Sequence, residues 1–134
     1  MPPTAAAGIS KLTRLKALLV SDNNLATLPD WLGELHALEK LDVSNNALAA
    51  LPDTIGQCTA LKTLLVFNNK LAQLPESIGE ISALEMLRAS GNALTAIPPT
   101  FKKLSKLKSL NVGGNKLSEL PEWIGEVSAH PATV

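Results

Sequence analysis

Hydrophobic positions recur along this chain at one fixed interval. Leu15, Leu38, Leu61, Leu84 and Leu107 form a series with a constant step of 23 residues, and Leu25, Leu48, Leu71, Leu94 and Leu117 repeat it. Asn23, Asn46, Asn69, Asn92 and Asn115 keep the same step, as do Pro29, Pro52, Pro75, Pro98 and Pro121. An unbroken period of this kind means one coil per repeat, each burying its apolar side against the next. Within a coil the polarity pattern predicts two elements. The first alternates as a strand does, so that Leu41 and Val43 point inward while Lys40, Asp42 and Ser44 point to solvent. The asparagine then turns the chain, and its amide can bond backbone groups that the turn leaves unpaired; stacked coils would make the five asparagines a structural ladder. Proline sets φ at the start of the second element, and the acid after it (Asp30, Asp53, Glu76, Glu122) suits the first turn of a short helical segment. The leucine or isoleucine three positions after the proline plugs the coil from its far side. Gly33, Gly56, Gly79 and Gly125 are read as ending that segment in a left-handed conformation.

Written from its first leucine, the second unit is LEKLDVSNNALAALPDTIGQCTA, which carries L-x-x-L-x-V-x-x-N-x-L followed by L-P-x-x-I-G. This pattern resembles the leucine-rich-repeat motif. The stretches LPDTIGQCTALKTL and LPESIGEISALEML are similar to the 23-residue intracellular class of that family, found in Ras-pathway scaffold proteins, plant intracellular Ras-group-related proteins and the Scribble and erbin polarity scaffolds. The resemblance covers roughly residues 9–127. It implies an α/β leucine-rich-repeat solenoid, a right-handed arc with short parallel strands on the concave side and short helical turns or irregular segments on the convex side. It also implies protein recognition as the shared theme, although the repeat occurs in scaffolds, kinases and GTPases alike.

The stretch from Gly8 to Arg14 matches the back half of a unit, with Ile9 two periods before Ile55, so the array is expected to begin mid-repeat and to end mid-repeat at Val127. The resulting division is a loosely attached N-terminus over 1–8, a repeat domain over 9–127 and a flexible tail over 128–134. Neither end carries a dedicated cap, which predicts fraying or self-association through the ends.

Composition narrows the classes of function. Aromatic residues make up 3% of the chain against 46% hydrophobic overall, so the core is aliphatic. Twelve basic and twelve acidic residues cancel, which removes the electrostatic footprint of a nucleic-acid or anionic-membrane binder. The single cysteine, Cys58, has no partner for an internal bridge, the first residues lack the features of a signal peptide, and no segment approaches the length of a membrane span. These features point to a soluble cytoplasmic protein with no membrane insertion.

Catalytic chemistry needs convergent reactive groups, and none converge here. His36 stands where other units have Thr59, Ser82 and Ser105, a surface loop position, and His130 lies in the tail. Cys58 takes the core position of Leu35, Ile81 and Leu104, where a thiol acts as a small hydrophobe. The histidines and cysteine lack zinc spacing, Asp22 with Asp42 falls short of a calcium site, and Gly113-Gly114-Asn115 lacks the Lys-Ser/Thr of a phosphate loop. The expectation is a protein that is not an enzyme, with no cofactor and no metal.

Binding surfaces are read from the outward strand positions, which stack into rows. The first row, Lys16, Glu39, Lys62, Glu85 and Lys108, alternates in sign and suits pairing between coils. The next rows are Ala17, Lys40, Thr63, Met86, Ser109, then Leu19, Asp42, Leu65, Arg88, Asn111, then Ser21, Ser44, Phe67, Ser90, Gly113. Leu65, Phe67 and Met86 cluster beside Arg88 with Asp42 on the opposite flank, an apolar centre with a charged rim. Ser44 and Ser90 are too small to shield the Phe67 ring, so it is expected to stay wet. A second candidate lies on the convex side, where Phe101, Lys102, Lys103 and Lys106 replace an acidic pattern. Trp31 and Trp123 share one convex slot that holds Thr54, Ser77 and Thr100 in the middle units, and suit edge-covering packing. The functional reading is a non-catalytic protein-interaction module or adaptor using the concave strands. The alternative is a recognition or regulatory domain from a larger signalling enzyme, a kinase or GTPase.

Overall fold

Each alternating stretch forms a three-residue strand: β1 (Ala17–Leu19), β2 (Lys40–Asp42), β3 (Thr63–Leu65), β4 (Met86–Arg88) and β5 (Ser109–Asn111). The structure is a computed structural model in which residues 13–118 are described. The half-unit from Ile9, the segments 1–8 and 128–134, Pro121, Glu122, Trp123, Gly125, Val127 and His130 lie outside them. The five strands make one parallel sheet in sequence order, and the register advances by one period at every step, aligning Leu18, Leu41, Leu64, Leu87 and Leu110. This is the expected leucine-rich-repeat solenoid.

Inward strand residues Leu41, Val43, Leu64, Val66, Leu87 and Ala89 are fully buried, together with Leu38, Leu61 and Leu84 at the head of each unit. Burying a leucine completely contributes roughly 1.5–3 kcal/mol, so the repeated column is the main source of cohesion. Leu15, Leu18, Val20, Leu25 and Leu28 in the first described coil are only half-buried against this column.

The side-chain amides of Asn46, Asn69, Asn92 and Asn115 stack as a ladder between coils, whereas that of Asn23 bonds its own turn among the described residues. Asn69 is 8% exposed; its Oδ1 accepts from Leu48 N at 3.0 Å, and its Nδ2 donates to the carbonyls of Val43, Val66 and Phe67 at 3.1, 3.1 and 3.3 Å. Asn46, Asn92 and Asn115 bond their own turn and the preceding coil in the same way. Each amide therefore supplies partners to backbone groups of two coils at once.

The return segments are 3₁₀ turns: η1 (Asp30–Glu34), η2 (Asp53–Gln57), η3 (Glu76–Glu80) and η4 (Pro99–Lys103). A proline precedes each, with φ between −75° at Pro29 and −58° at Pro98, and Asp30, Asp53 and Glu76 occupy the first turn of the first three. Leu32, Ile55, Ile78 and Phe101 are the buried plugs.

The glycines act differently from the expectation. Gly33, Gly56 and Gly79 do not end the turns in a left-handed conformation; they lie inside η1, η2 and η3 and are buried. A Cβ on them would sit 2.6 Å from the Thr54 carbonyl oxygen, 2.5 Å from that of Ser77 and 2.5 Å from that of Thr100. Glycine is needed there because consecutive turns meet backbone to backbone. The close approach also brings Thr54 Oγ1 to donate to Asp30 O at 2.8 Å, Ser77 Oγ to Asp53 O at 2.7 Å and Thr100 Oγ1 to Glu76 O at 2.7 Å. Left-handed backbone instead recurs just before each ladder asparagine, at Asp22, Asn45, Asn68, Gly91 and Gly114, with φ of 60°, 54°, 55°, 67° and 66°. Asn, Asp and Gly tolerate that region better than other residues.

Candidate protein-binding face

Parallel register places the outward side chains of successive coils side by side, and two of the rows read from the sequence are rows of the sheet. Ala17, Lys40, Thr63, Met86 and Ser109 align, as do Leu19, Asp42, Leu65, Arg88 and Asn111. Along the alternating charge row, Lys62 Nζ lies 4.0 Å from Glu39 and Lys108 Nζ 3.6 Å from Glu85. These pairs are open to water and act on stacking order more than on stability.

Leu65, Phe67, Met86 and Arg88 lie on one face, on or just beyond the adjacent strands β3 and β4. The Arg88 Cζ lies 4.7 Å from the centre of the Phe67 ring, so the ring is half-buried under a guanidinium and does not stay wet. Arg88 is in register with Leu65 and reaches diagonally to the residue two positions on, a contact available to a long side chain. Met86 remains 37% exposed beside it. Asp42 flanks the cluster from β2 but turns back on its own strand end: its Oδ1 accepts from Ser44 N at 3.0 Å and Ser44 Oγ at 2.6 Å. Ser44 is consequently 1% exposed and does not point to solvent, because β2 ends at Asp42 and alternation no longer governs it. Leu19, at 60% exposure, is a further exposed apolar side chain on the β1 side, separated from Leu65 by Asp42, and was not singled out from the sequence. Its signal was the row it shares with Leu65.

The convex candidate divides. Phe101 is fully buried in the column of Ile55 and Ile78 and belongs to the core. Lys102, Lys103 and Lys106 are exposed, and Lys103 Nζ pairs with Glu80 Oε1 at 3.3 Å, which neutralises part of the patch. Trp31 is half-buried against the core, as its packing role requires, while its Nε1 is buried without an acceptor among the described residues. An open groove between the second and third coils is lined by Leu51, Pro52, Asp53, Leu74, Pro75 and Glu76, motif residues that nearly every coil repeats.

Cys58 is buried, its Sγ–H donates to Leu32 O at 3.3 Å, and burial pushes its thiol up to about 11, away from the thiolate that nucleophilic chemistry needs. His36 is exposed on a loop. Among the described residues no cluster of three or more His, Cys, Asp or Glu side chains is placed to hold a metal ion, and no helix is long and apolar enough to cross a membrane.

Comparison with known proteins agrees with this geometry. A family model described as Leucine Rich Repeat matches residues 37–58, and one described as Leucine Rich repeats (2 copies) matches residues 82–125. A leucine-rich-repeat protein of Leptospira interrogans is similar at 33% identity with a TM-score of 0.86, covering 89% of this chain and 30% of its own. The leucine-rich-repeat ectodomain of the receptor kinase SOBIR1 from Arabidopsis thaliana is similar at 29% identity with a TM-score of 0.77, covering 90% and 70%. An internalin of Listeria monocytogenes, at 21% identity and a TM-score of 0.81 over 93% of this chain and 36% of its own, shares the fold. This chain thus spans less than a third of the Leptospira protein's length. A search of curated proteins gave no match.

Proposed function

We propose, with the leucine-rich-repeat solenoid as premise, that this chain is a non-catalytic protein-binding module or adaptor that engages its partner on the concave strand face. One observation carries the reading. Among the described residues, the large hydrophobic side chains left exposed are Leu19 and Met86, and both stand on outward strand positions, Met86 next to the Arg88–Phe67 pair. Single exposed hydrophobes are ordinary, whereas a group on one face with an aromatic and an arginine has the composition of an interface hot spot. The buried, weakly acidic Cys58 and the isolated His36 support a binding role over a catalytic one. An unpaired buried cysteine also suits a cytoplasmic setting, and the likeness of the repeats to the intracellular Ras-pathway and Scribble-type class is part of the same proposal. A second reading, a recognition domain of a larger signalling enzyme, is favoured by the likeness to a receptor-kinase ectodomain.

Phe67→Asp tests the first reading. It removes the ring under Arg88 and sets a charge against any apolar partner surface, so binding should weaken by about 2 kcal/mol or more. The fold should lose about 1–2 kcal/mol, from the cation–π contact and the apolar area of a half-buried ring, which leaves it folded. Wild type and mutant serve as paired baits for a pull-down from cell extract, with thermal melts to confirm folding. The expected result is that bound proteins disappear from the mutant; an identical set on two folded baits overturns the strand-face reading and directs attention to Lys102 and Lys106.

A further inference from the structure

Arg88 narrows the chemistry of the partner. Its Cζ sits over the Phe67 ring at 4.7 Å, where the ring face attracts the cation and holds the guanidinium, a group of five N–H donors, above the strand face. Among the described residues no carboxylate lies within ion-pair distance of it, although Glu39, Glu80 and Glu85 each pair with a lysine. The acid sharing its row, Asp42, stands two strands away and is bonded to Ser44. Between them lies half-buried Leu65, and Met86 is two residues before Arg88 on the same strand. The row therefore offers a cation held over an aromatic ring, unpaired among the described residues, beside aliphatic surface, with a negative group at the far flank.

We infer, resting on the strand-face reading above, that this face recognises an extended protein segment carrying an acidic side chain opposite Arg88 and an aliphatic side chain over Leu65 and Met86. A planar guanidinium presents paired donors that match a carboxylate. Strands lie about 4.7–4.9 Å apart and an extended chain rises about 3.3 Å per residue, so the acid and the aliphatic contact fall within two or three residues of each other. Asp42 sets the direction, since a second acid placed towards β2 meets a like charge. A nucleic-acid backbone fits less well, because phosphates running from Arg88 towards β2 would meet Asp42, and the chain's net charge is zero.

The test is selection of a phage-displayed library of random linear peptides on the full chain, followed by affinity measurement with synthetic copies of the enriched sequences. Enriched peptides should share an Asp or Glu close to an aliphatic residue. Arg88→Gln should weaken them at least ~10-fold, and selection on Arg88→Glu should enrich Lys or Arg at the same place. Arg88 is exposed and gives up only its contact with the Phe67 ring, so thermal melts of both variants should fall within about 5 °C of wild type. Enriched peptides that depend on Phe67 but lack an acid, or that ignore Arg88→Gln, overturn this inference and leave the strand-face reading standing. Peptides indifferent to both Phe67→Asp and Arg88→Gln overturn both. A library that yields no Arg88-dependent sequence overturns recognition of a linear acidic segment, while the pull-down still decides the face.

Discussion

The two sides of each coil meet their neighbours under different constraints. On the convex side the coils touch backbone to backbone: glycine at 33, 56 and 79 abuts Thr54, Ser77 and Thr100, whose hydroxyls bond the carbonyls of Asp30, Asp53 and Glu76. On the strand face the backbones are held apart by the ladder spacing and the side chains point away, and the row Leu19, Asp42, Leu65, Arg88, Asn111 has no common residue. Close approach makes the sequence repeat; solvent leaves it free to differ. The convex columns also change together, because the fourth unit has Lys102 in place of the glycine and the fifth has Trp123, outside the described residues, in place of the hydroxyl. Identity along a column thus reports contact between coils, and variation along a row marks where recognition can be encoded.

The strongest way to break this contrast is to add the same side chain to both sides. Gly56→Val places a Cβ 2.5 Å from the Ser77 carbonyl oxygen, where neither backbone can yield without parting two coils, and should destabilise the protein by about 3 kcal/mol. Ala17→Val, at an exposed strand position, should change stability by no more than about 0.5 kcal/mol. Urea unfolding of the two variants reads both values. Similar midpoints would mean that the convex contact is slack.

The next test falls on the ladder between the two sides. Asn69→Ala removes an acceptor for Leu48 N and a donor shared by three carbonyls, and water cannot replace them in a site 8% exposed. Leaving such groups unpaired should cost about 1–3 kcal/mol. The same substitution at Asn23, which is exposed and whose amide bonds its own turn among the described residues, should cost less than half as much. Denaturation midpoints for the two variants that coincide would show that the amides act singly and do not bridge coils.

Much of this organisation was legible in the sequence, for physical reasons that also mark where legibility stops. The core and the ladder were readable because a coil that closes every period must bury the same side chains, which writes leucine and asparagine columns directly into the chain. The misread features concern residues with two possible uses. A glycine that permits left-handed backbone and one that permits close approach look alike as letters, yet the mixed column Asp22, Asn45, Asn68, Gly91, Gly114 carried the left-handed composition all along. Phe101 could have been assigned to the core from its column with Ile55 and Ile78. Two features had no such signal. Ser44 is buried because Asp42 folds onto it, and Phe67 is covered because Arg88 crosses diagonally; each depends on a side-chain conformation chosen among several.

The smallest expected effect isolates one hydroxyl on each side. Ser77 and Ser90 are both half-buried serines, one column on the convex side and one on the strand face. Ser77 Oγ donates to Asp53 O at 2.7 Å, whereas the Ser90 hydroxyl has no hydrogen bond among the described residues. Replacing either by alanine removes one oxygen and creates almost no cavity. Ser77→Ala gives up a bond between coils, and because water can reach part of the freed carbonyl the loss should be near the net value of one hydrogen bond, about 1 kcal/mol. Ser90→Ala exchanges a solvated hydroxyl for a methyl and should stay within about 0.5 kcal/mol. The double variant should show the sum of the two, since the sites share no partner. Chemical denaturation resolves a difference of this size when the slopes agree. Equal losses at the two serines would mean that the hydroxyls act through their own turns, and the convex column would then be conserved in kind without tying the coils together.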